Sequence, residues 1–195
     1  MLNAMLFLVS LFPLKGHYVG FGFEGRDFFP NSYIIEFDMG KWRVAPEVGF
    51  NLRYTKDKEK TPDGDISMTT RSFTVNLGTF FYSSGKIGDF YEGIPLNFLW
   101  GIAPSLSFNY SAITVSEKAS STTLTGGLSF QAGLEFGLKI HGRDFKIQGR
   151  TGIAELSHSL QSEKQGETKS SSNSVSFRSL GIWRGEISTY LFMRL

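Results

Sequence analysis

The sequence predicts an all-β fold, an eight-stranded antiparallel up-and-down transmembrane β-barrel. Three observations lead to this prediction. Apolar residues recur at every second position through most of the chain, which is the period of a strand and not of a helix. Eight segments show this alternation. The face opposite the apolar one consists mainly of Gly, Ser, Thr, Asn and Ala, which is typical of barrels whose apolar side faces lipid.

The alternation is clearest between residues 124 and 140, where large apolar side chains occupy most even positions. The odd positions there hold small or polar residues, and residues 71–81 repeat the pattern. In chain order, the predicted strands lie near Tyr18–Glu24, Tyr33–Asp38, Trp42–Thr55, Thr70–Tyr82, Leu96–Val115, Thr122–Ile140, Phe145–Leu156 and Ser174–Leu195.

The connections between these strands differ in character. Residues 39–41 and 141–144 contain glycine and predict tight turns. Residues 56–68, 116–122 and 158–173 are polar and predict loops at the other end of the barrel. No linker divides the chain, so residues 17–195 are predicted to form a single barrel domain. Residues 1–16 contain an apolar run of the length of a signal-peptide core, and we expect a signal peptide or an apolar N-terminal segment there.

Composition excludes several kinds of site. The chain has no cysteine, which removes disulfide frameworks, thiolate zinc sites and cysteine nucleophiles. The formal net charge of +2 comes from scattered basic residues, so nucleic acid is not an expected partner. No apolar run reaches the roughly 18 residues that a membrane helix needs.

Eight alternating strands are compatible with two kinds of barrel. A soluble, lipocalin-like barrel places its apolar face inside around a ligand and needs a charged exterior for solubility. Here the second face has few charges and many small residues, which fit the narrow interior of an eight-stranded barrel. Six of the eight segments also exceed the roughly 9–11 residues that a tilted strand needs to cross a bilayer. The membrane barrel is therefore favoured, and the lipocalin-like barrel is the alternative.

One phrase occurs twice. WRVAPEVGFN at 42–51 and WGIAPSLSFN at 100–109 share Trp, Ala, Pro, Phe and Asn at matching positions, 58 residues apart. Each phrase is interpreted as one membrane crossing that begins at a tryptophan and is followed by a tyrosine at the other interface. The predicted aromatic girdle consists of Trp42, Tyr54, Trp100 and Tyr110. Proline lacks an N–H, so a β-bulge is expected at each proline.

Charges of both signs lie on the small, polar face and predict a network of ion pairs in the lumen, with Glu36 on the same face. The predicted network comprises Arg43, Glu47, Arg53, Glu135, Lys139, Lys146, Arg150, Arg178, Arg184 and Glu186. An eight-stranded interior is just wide enough for side chains to fill it, so the network is expected to plug the lumen. The alternative interpretation is a gated, porin-like polar pore.

Catalytic chemistry has little support in the sequence. His17 precedes the first strand, His141 lies in a tight turn, and only His158 lies near the predicted outer rim. Its serine neighbours at 157 and 159 would point to the opposite face of a strand. A solvated histidine is the expected role. No metal spacing is present, and no catalytic residue, metal site or cofactor is predicted.

The chain resembles the small bacterial outer-membrane β-barrel families, the OmpA- and OmpX-like class. The resemblance rests on the repeated phrase, on the glycine–aromatic alternation YVGFGFEG at 18–25 and on the last segment, ISTYLFMRL. It implies a bacterial outer-membrane location, with the bilayer, lipopolysaccharide and the barrel-insertion machinery as partners, and a monomer. The expected function is non-enzymatic presentation of outward loops for surface interaction, adhesion or envelope integrity. A lipid-modifying outer-membrane enzyme is a further alternative.

Overall fold

The strands form one antiparallel sheet that closes into a ring. The computed structural model describes residues 17–24, 31–61, 64–90, 93–114, 118–179 and 187–194. Nine strands lie in these ranges: β1 (Tyr18–Glu24), β2 (Ser32–Met39), β3 (Trp42–Thr61), β4 (Gly64–Asp89), β5 (Pro95–Thr114), β6 (Lys118–Ile140), β7 (Arg143–Gln165), β8 (Thr168–Ser179) and β9 (Ile187–Arg194). Each strand from β1 to β7 pairs with the next, and β9 pairs with both β7 and β1. The ring therefore contains eight strands, as predicted.

The last predicted strand, near Ser174–Leu195, consists of two pieces. Both β8 and β9 pair with β7, at different heights. Ser179 at the end of β8 pairs with Ala154, and Ile187 at the start of β9 pairs with Thr151. Only β9 continues the ring to β1, while β8 extends the sheet beyond it. Residues 180–186, between the two pieces, lie outside the described residues.

The three polar segments predicted as loops are largely strand. β3 runs to Thr61 and β4 begins at Gly64, while β7 runs to Gln165 and β8 begins at Thr168. The segment at 116–122 enters β6 at Lys118. The prediction was wrong here because alternation is lost where both faces of a ribbon are polar, although the backbone continues to pair. These ribbons define the long-hairpin end of the barrel, and the turns at 40–41 and 141–142 define the short-turn end.

The two faces of the sheet have opposite chemistry. Large apolar side chains face outwards and stay exposed, as with Ile102 at 50% and Leu106 at 46%. The interior holds the buried polar and charged side chains, among them Glu36 and Gln148 at no more than 1% exposure, beside a small apolar cluster that includes Ile34, Phe80 and Leu99. In a soluble protein most large apolar residues lie inside and most charges outside, so this distribution is largely the reverse. Within the described residues, no helix is long and apolar enough to cross a membrane.

The repeated phrase has a structural explanation. Phe50 of β3 and Phe108 of β5 both pair with Val75 of β4, and the same register brings residues 51 and 109 to Thr74. The 58-residue spacing therefore places the two phrases at one height, on either side of β4. At their short-turn ends, the rings of Trp42 and Trp100 meet edge to face with centroids 5.7 Å apart.

The prolines lie at interruptions of the ladder, and the bulges predicted for them are absent from the pairing of the described strands. Pairing of β3 with β2 stops at Glu47 and resumes at Val44, with the register unchanged. Pairing of β5 with β4 likewise stops at Ser105 and resumes at Ile102. Proline donates no hydrogen bond, so a two-residue gap accommodates it without an extra residue. The described register shifts lie elsewhere, at 86–88 and at 130–131.

Candidate functional site in the barrel lumen

A cluster of charged and polar side chains lies across the lumen near the short-turn end. We call it the plug, and its members come from five strands: Glu36, Arg43, Tyr82, Glu135, Lys146 and Gln148. Alternation explains the convergence, because each residue lies on the face of its strand that carries small and polar side chains. All six are buried except Arg43, which is partly buried.

The charges of the plug are paired. Arg43 Nη1 donates to both carboxylate oxygens of Glu135, at 3.0 and 3.1 Å. Lys146 donates to Glu36, and its Nζ lies 3.5 Å from Glu135 Oε2. Two carboxylates thus face two cations. A buried charge is strongly unfavourable unless it is paired and hydrogen-bonded, so the four side chains depend on one another.

Neutral groups complete the hydrogen bonding of the plug. Tyr82 donates its hydroxyl hydrogen to Glu36 Oε2 at 2.5 Å, and Gln148 Nε2 donates to Glu135 Oε2 at 2.7 Å. Asn97 donates from its amide to Glu135 Oε1 at 3.1 Å. Each carboxylate therefore accepts from several donors. This hydrogen bonding holds the side chains across the lumen.

A second layer lies above the plug, towards the long-hairpin end. Its centre is Arg150, whose guanidinium carbon lies 4.0 Å from the ring centroid of Tyr190 and 4.6 Å from that of Phe80. Arg150 also donates from Nε and Nη2 to Gln148 Oε1, at 3.0 and 2.7 Å. Tyr190 in turn donates to Glu47 Oε2 at 3.1 Å. Stacking and hydrogen bonds thus connect this layer to the plug.

Glycines make room for the large lumen side chains. Four glycines that face the lumen each pair with a large residue of the neighbouring strand, and an added Cβ would lie within 3.1 Å of an atom of that partner. These pairs are Gly20 with Phe192, Gly22 with Tyr190, Gly101 with Tyr82 and Gly133 with Arg150. The glycine–aromatic alternation at 18–25 therefore reflects packing against β9. The alternation is visible in the sequence, but the residues that face these glycines are known only once β1 pairs with β9 and closes the ring.

The structure brings together part of the predicted charge network. Arg43, Glu135 and Lys146 meet in the plug, and Glu47 and Arg150 lie in the layer above. The other described members lie apart and are exposed, namely Arg53, Lys139 and Arg178. Arg184 and Glu186 lie outside the described residues. Glu36, which the sequence places on the same face without assigning it to the network, holds a central position.

The four girdle residues all lie on the outward face and are exposed. Trp42 and Trp100 lie near the short-turn end, in contact with each other. Tyr54 and Tyr110 lie further along the same strands, towards the long-hairpin end. The guanidinium of Arg71 lies over the Tyr54 ring, 5.8 Å from its centroid.

The histidines do not meet a nucleophile among the described contacts. His158 lies on β7, and its Nε2 is 2.6 Å from Asn173 Oδ1. The neighbouring serines bond elsewhere, Ser157 to Ser176 and Ser159 to Thr125, both at 2.8 Å. Within the described residues, no group of three or more His, Cys, Asp or Glu residues could hold a metal ion.

An eight-stranded antiparallel ring, an apolar outer face and a charged interior define a β-barrel of the outer-membrane type. Among solved structures, the fold is similar to that of a major outer membrane protein from Thermus thermophilus. The TM-score is 0.52 and the sequence identity 11%, and the match covers 92% of this chain and 98% of that chain. The sequence matches no family model and no curated protein sequence. The likeness concerns the fold.

Proposed function

We propose that the protein is a non-enzymatic outer-membrane barrel that holds its long hairpins at the cell surface, with a lumen closed by the plug. The observation that carries this proposal is the reversal of the two faces. An apolar outer surface with buried ion pairs inside is stable in lipid and is unsuited to water. The same observation opposes a lipocalin-like carrier, whose cavity would be apolar.

The position of the girdle supports an orientation. The two tryptophans near the short-turn end and the two tyrosines beyond them fit the two interfaces of a bilayer. The long hairpins then lie outside the cell and the short turns in the periplasm. Arg71, stacked on Tyr54 at the outer interface, suits the phosphate groups of lipopolysaccharide. Insertion by the barrel-assembly machinery and a monomeric state complete the proposal.

The role of the hairpins follows from their composition. β8 is exposed along its whole length and is rich in serine, and the Lys164–Lys169 pair lies near its turn. Such ribbons present backbone and hydroxyl groups to the medium and are suited to surface interaction, adhesion or envelope integrity. By strand number and size, we group the chain with the OmpA- and OmpX-like class. No described contact favours the lipid-modifying enzyme.

The absence of cysteine gives a direct test of location and orientation. A single cysteine is introduced at the turn of the β7–β8 hairpin (Glu167→Cys) or, in a matched variant, at a short turn (Lys41→Cys). Intact cells are then treated with a membrane-impermeant maleimide. We expect labelling of Glu167→Cys in intact cells and labelling of Lys41→Cys only after the outer membrane is permeabilised. The reverse pattern would contradict the orientation, and recovery of both variants in the soluble fraction would contradict the membrane barrel.

A further inference from the structure

The lumen above the plug is a polar well. A cavity of about 420 Å³ occupies it, lined by residues of the long-hairpin half of the barrel. Its deepest residues, Phe80 and Arg150, are buried, whereas Asn51 and Asn76 further up the wall are exposed. The well therefore opens towards the long-hairpin end and is closed below by the plug. Its volume lies within the range of roughly 300–1,000 Å³ that is usual for small-molecule sites.

The wall of the well presents neutral groups that are free to bind. Asn51, Asn76, Thr74 and Ser107 line it, and none of these side chains makes a hydrogen bond to another residue that the structure describes. An amide or a hydroxyl both donates and accepts hydrogen bonds. Unpaired amides and hydroxyls around one cavity therefore suit a ligand whose own groups both donate and accept hydrogen bonds.

The floor and wall also carry charges of both signs. Arg150 is 3% exposed, and among the described residues no carboxylate lies within ion-pair distance of its guanidinium. Glu47 and Glu155 lie on the wall. An anion would meet two carboxylates and one cation, which opposes its accumulation. Arg150 already donates from Nε and Nη2 to Gln148, so the charged groups left to bind a ligand are the two carboxylates, each of which can accept a pair of hydrogen bonds from vicinal hydroxyl groups.

We infer that the well binds a small polyhydroxylated molecule, a mono- or disaccharide, delivered from the long-hairpin side. The inference goes beyond the proposed anchoring function, since the barrel would present its hairpins with the well empty or filled. The expected affinity is weak, with a Kd of about 1 mM, because the contacts are neutral hydrogen bonds in a wet cavity.

Saturation-transfer NMR tests the inference on the chain refolded in micelles. The detergent must lack a sugar headgroup, such as an amine oxide, so that it does not compete. The probes are D-glucose and maltose, with glycine as a zwitterion and acetate as an anion. We expect transfer to both sugars, and weaker or no transfer to glycine and acetate.

Two glycines offer a matched pair of variants. Gly78 lines the well, and an added Cβ there would meet no atom closer than 3.7 Å, so Gly78→Phe fills the well from an open position. Gly126 lies on the outward face of β6 with no atom within 4 Å of an added Cβ, so Gly126→Phe is the control. Gly78→Phe should weaken sugar binding at least about tenfold, and Gly126→Phe should leave it unchanged.

A milder variant covers the case in which Gly78→Phe does not fold, as judged by its mobility on a gel without boiling. Asn76→Ala removes one amide from the wall and should weaken binding by roughly fivefold, the effect of one lost hydrogen bond. Equal transfer in wild type, Gly78→Phe and Asn76→Ala would overturn the inference. So would the absence of transfer to either sugar in the wild type, or stronger transfer to glycine or acetate than to both sugars.

Discussion

At the scale of single residues, the lumen alternates between side chains that fill it and glycines that leave space. Gly101 shows the constraint most clearly, since an added Cβ would lie 2.1 Å from the Phe81 carbonyl oxygen and 2.7 Å from Tyr82 Cα. Both contacts are with backbone, which cannot rotate away. A methyl group at this position must displace a strand.

Gly101→Ala should therefore destabilise the folded barrel, by about 1–3 kcal/mol, the usual penalty of overpacking. The matched variant Gly126→Ala places the same methyl group in open space on the outward face and should change stability by less than about 1 kcal/mol. Urea unfolding in lipid vesicles, followed by tryptophan fluorescence, measures both. Equal destabilisation would mean that glycine is required for chain flexibility and not for space.

The two faces of one strand provide a second test at this scale. Leu106 points outwards and Ser105 lines the well, at the same height between Trp100 and Tyr110. Leu106→Arg places a charge in the lipid midplane and should reduce the free energy of unfolding by roughly 2–4 kcal/mol. Ser105→Arg places it in a wet lumen and should cost clearly less. Vesicle unfolding measures both, and a larger effect of Ser105→Arg would reverse our assignment of inside and outside.

At the scale of strands, the repeated phrase marks two strands that flank a third in matching register. Strands two apart lie roughly 9.5 Å apart, a separation that two indole rings bridge over the small side chain of Ser83. The two indole rings thus form a contacting pair on the outward face, and we expect each ring to stabilise the position of the other.

A double-mutant cycle with Trp42→Phe and Trp100→Phe measures this coupling. We expect an interaction free energy of up to about 0.5–1.5 kcal/mol, the range of edge-to-face aromatic pairs, reduced because phenylalanine retains part of the contact. Val48 and Trp100, which are not in contact by register, serve as the comparison cycle with Val48→Ala. Additive effects in the first cycle would show that lipid, and not the partner ring, holds each indole.

Alternation predicted the strands of the ring, because one face of each is apolar and the other is not. It failed in the long hairpin at residues 158–173, where both faces of the ribbon are largely polar and the strands are maintained by backbone pairing. Alternation also predicted a single strand near Ser174–Leu195. The sequence does not indicate that this segment divides into two strands, β8 and β9, which pair with different parts of β7. Pairing positions are a property of the whole ring.

Alternation likewise predicted which residues face the lumen, but not which of them meet there. The sequence assigns Arg43, Glu135 and Lys146 to the inner face, and the structure places them together. Arg53 and Lys139 share that face but lie at other heights, because alternation gives the side of a strand and not its register against distant strands. Gln148 and Tyr82 are neutral, so a search for charges could not select them.

At the scale of the whole molecule, the plug joins strands that are not neighbours in the ring. Glu36 of β2 is bound by Lys146 of β7 and Tyr82 of β4, and Arg43 of β3 reaches Glu135 of β6. These bonds cross the lumen, so the plug braces the ring. The charges balance, and removal of a single partner would leave a buried charge at a cost of about 3–5 kcal/mol.

Removal of all four charges together avoids that penalty and should open the barrel. The variant Glu36→Ala, Arg43→Ala, Glu135→Ala and Lys146→Ala leaves the net charge unchanged and shortens the four charged side chains of the plug. In planar bilayers, we expect stable ion conductance from this variant and none from the wild type. Lys86→Ala with Asp89→Ala removes an exposed pair of the same net charge and should behave as the wild type. Both variants must first show the folded gel mobility before boiling. Stable conductance of the wild type, equal to that of the four-charge variant, would mean that ions pass the plug and that the lumen is a polar pore. No conductance from either protein would mean that the four charges are not what blocks the lumen.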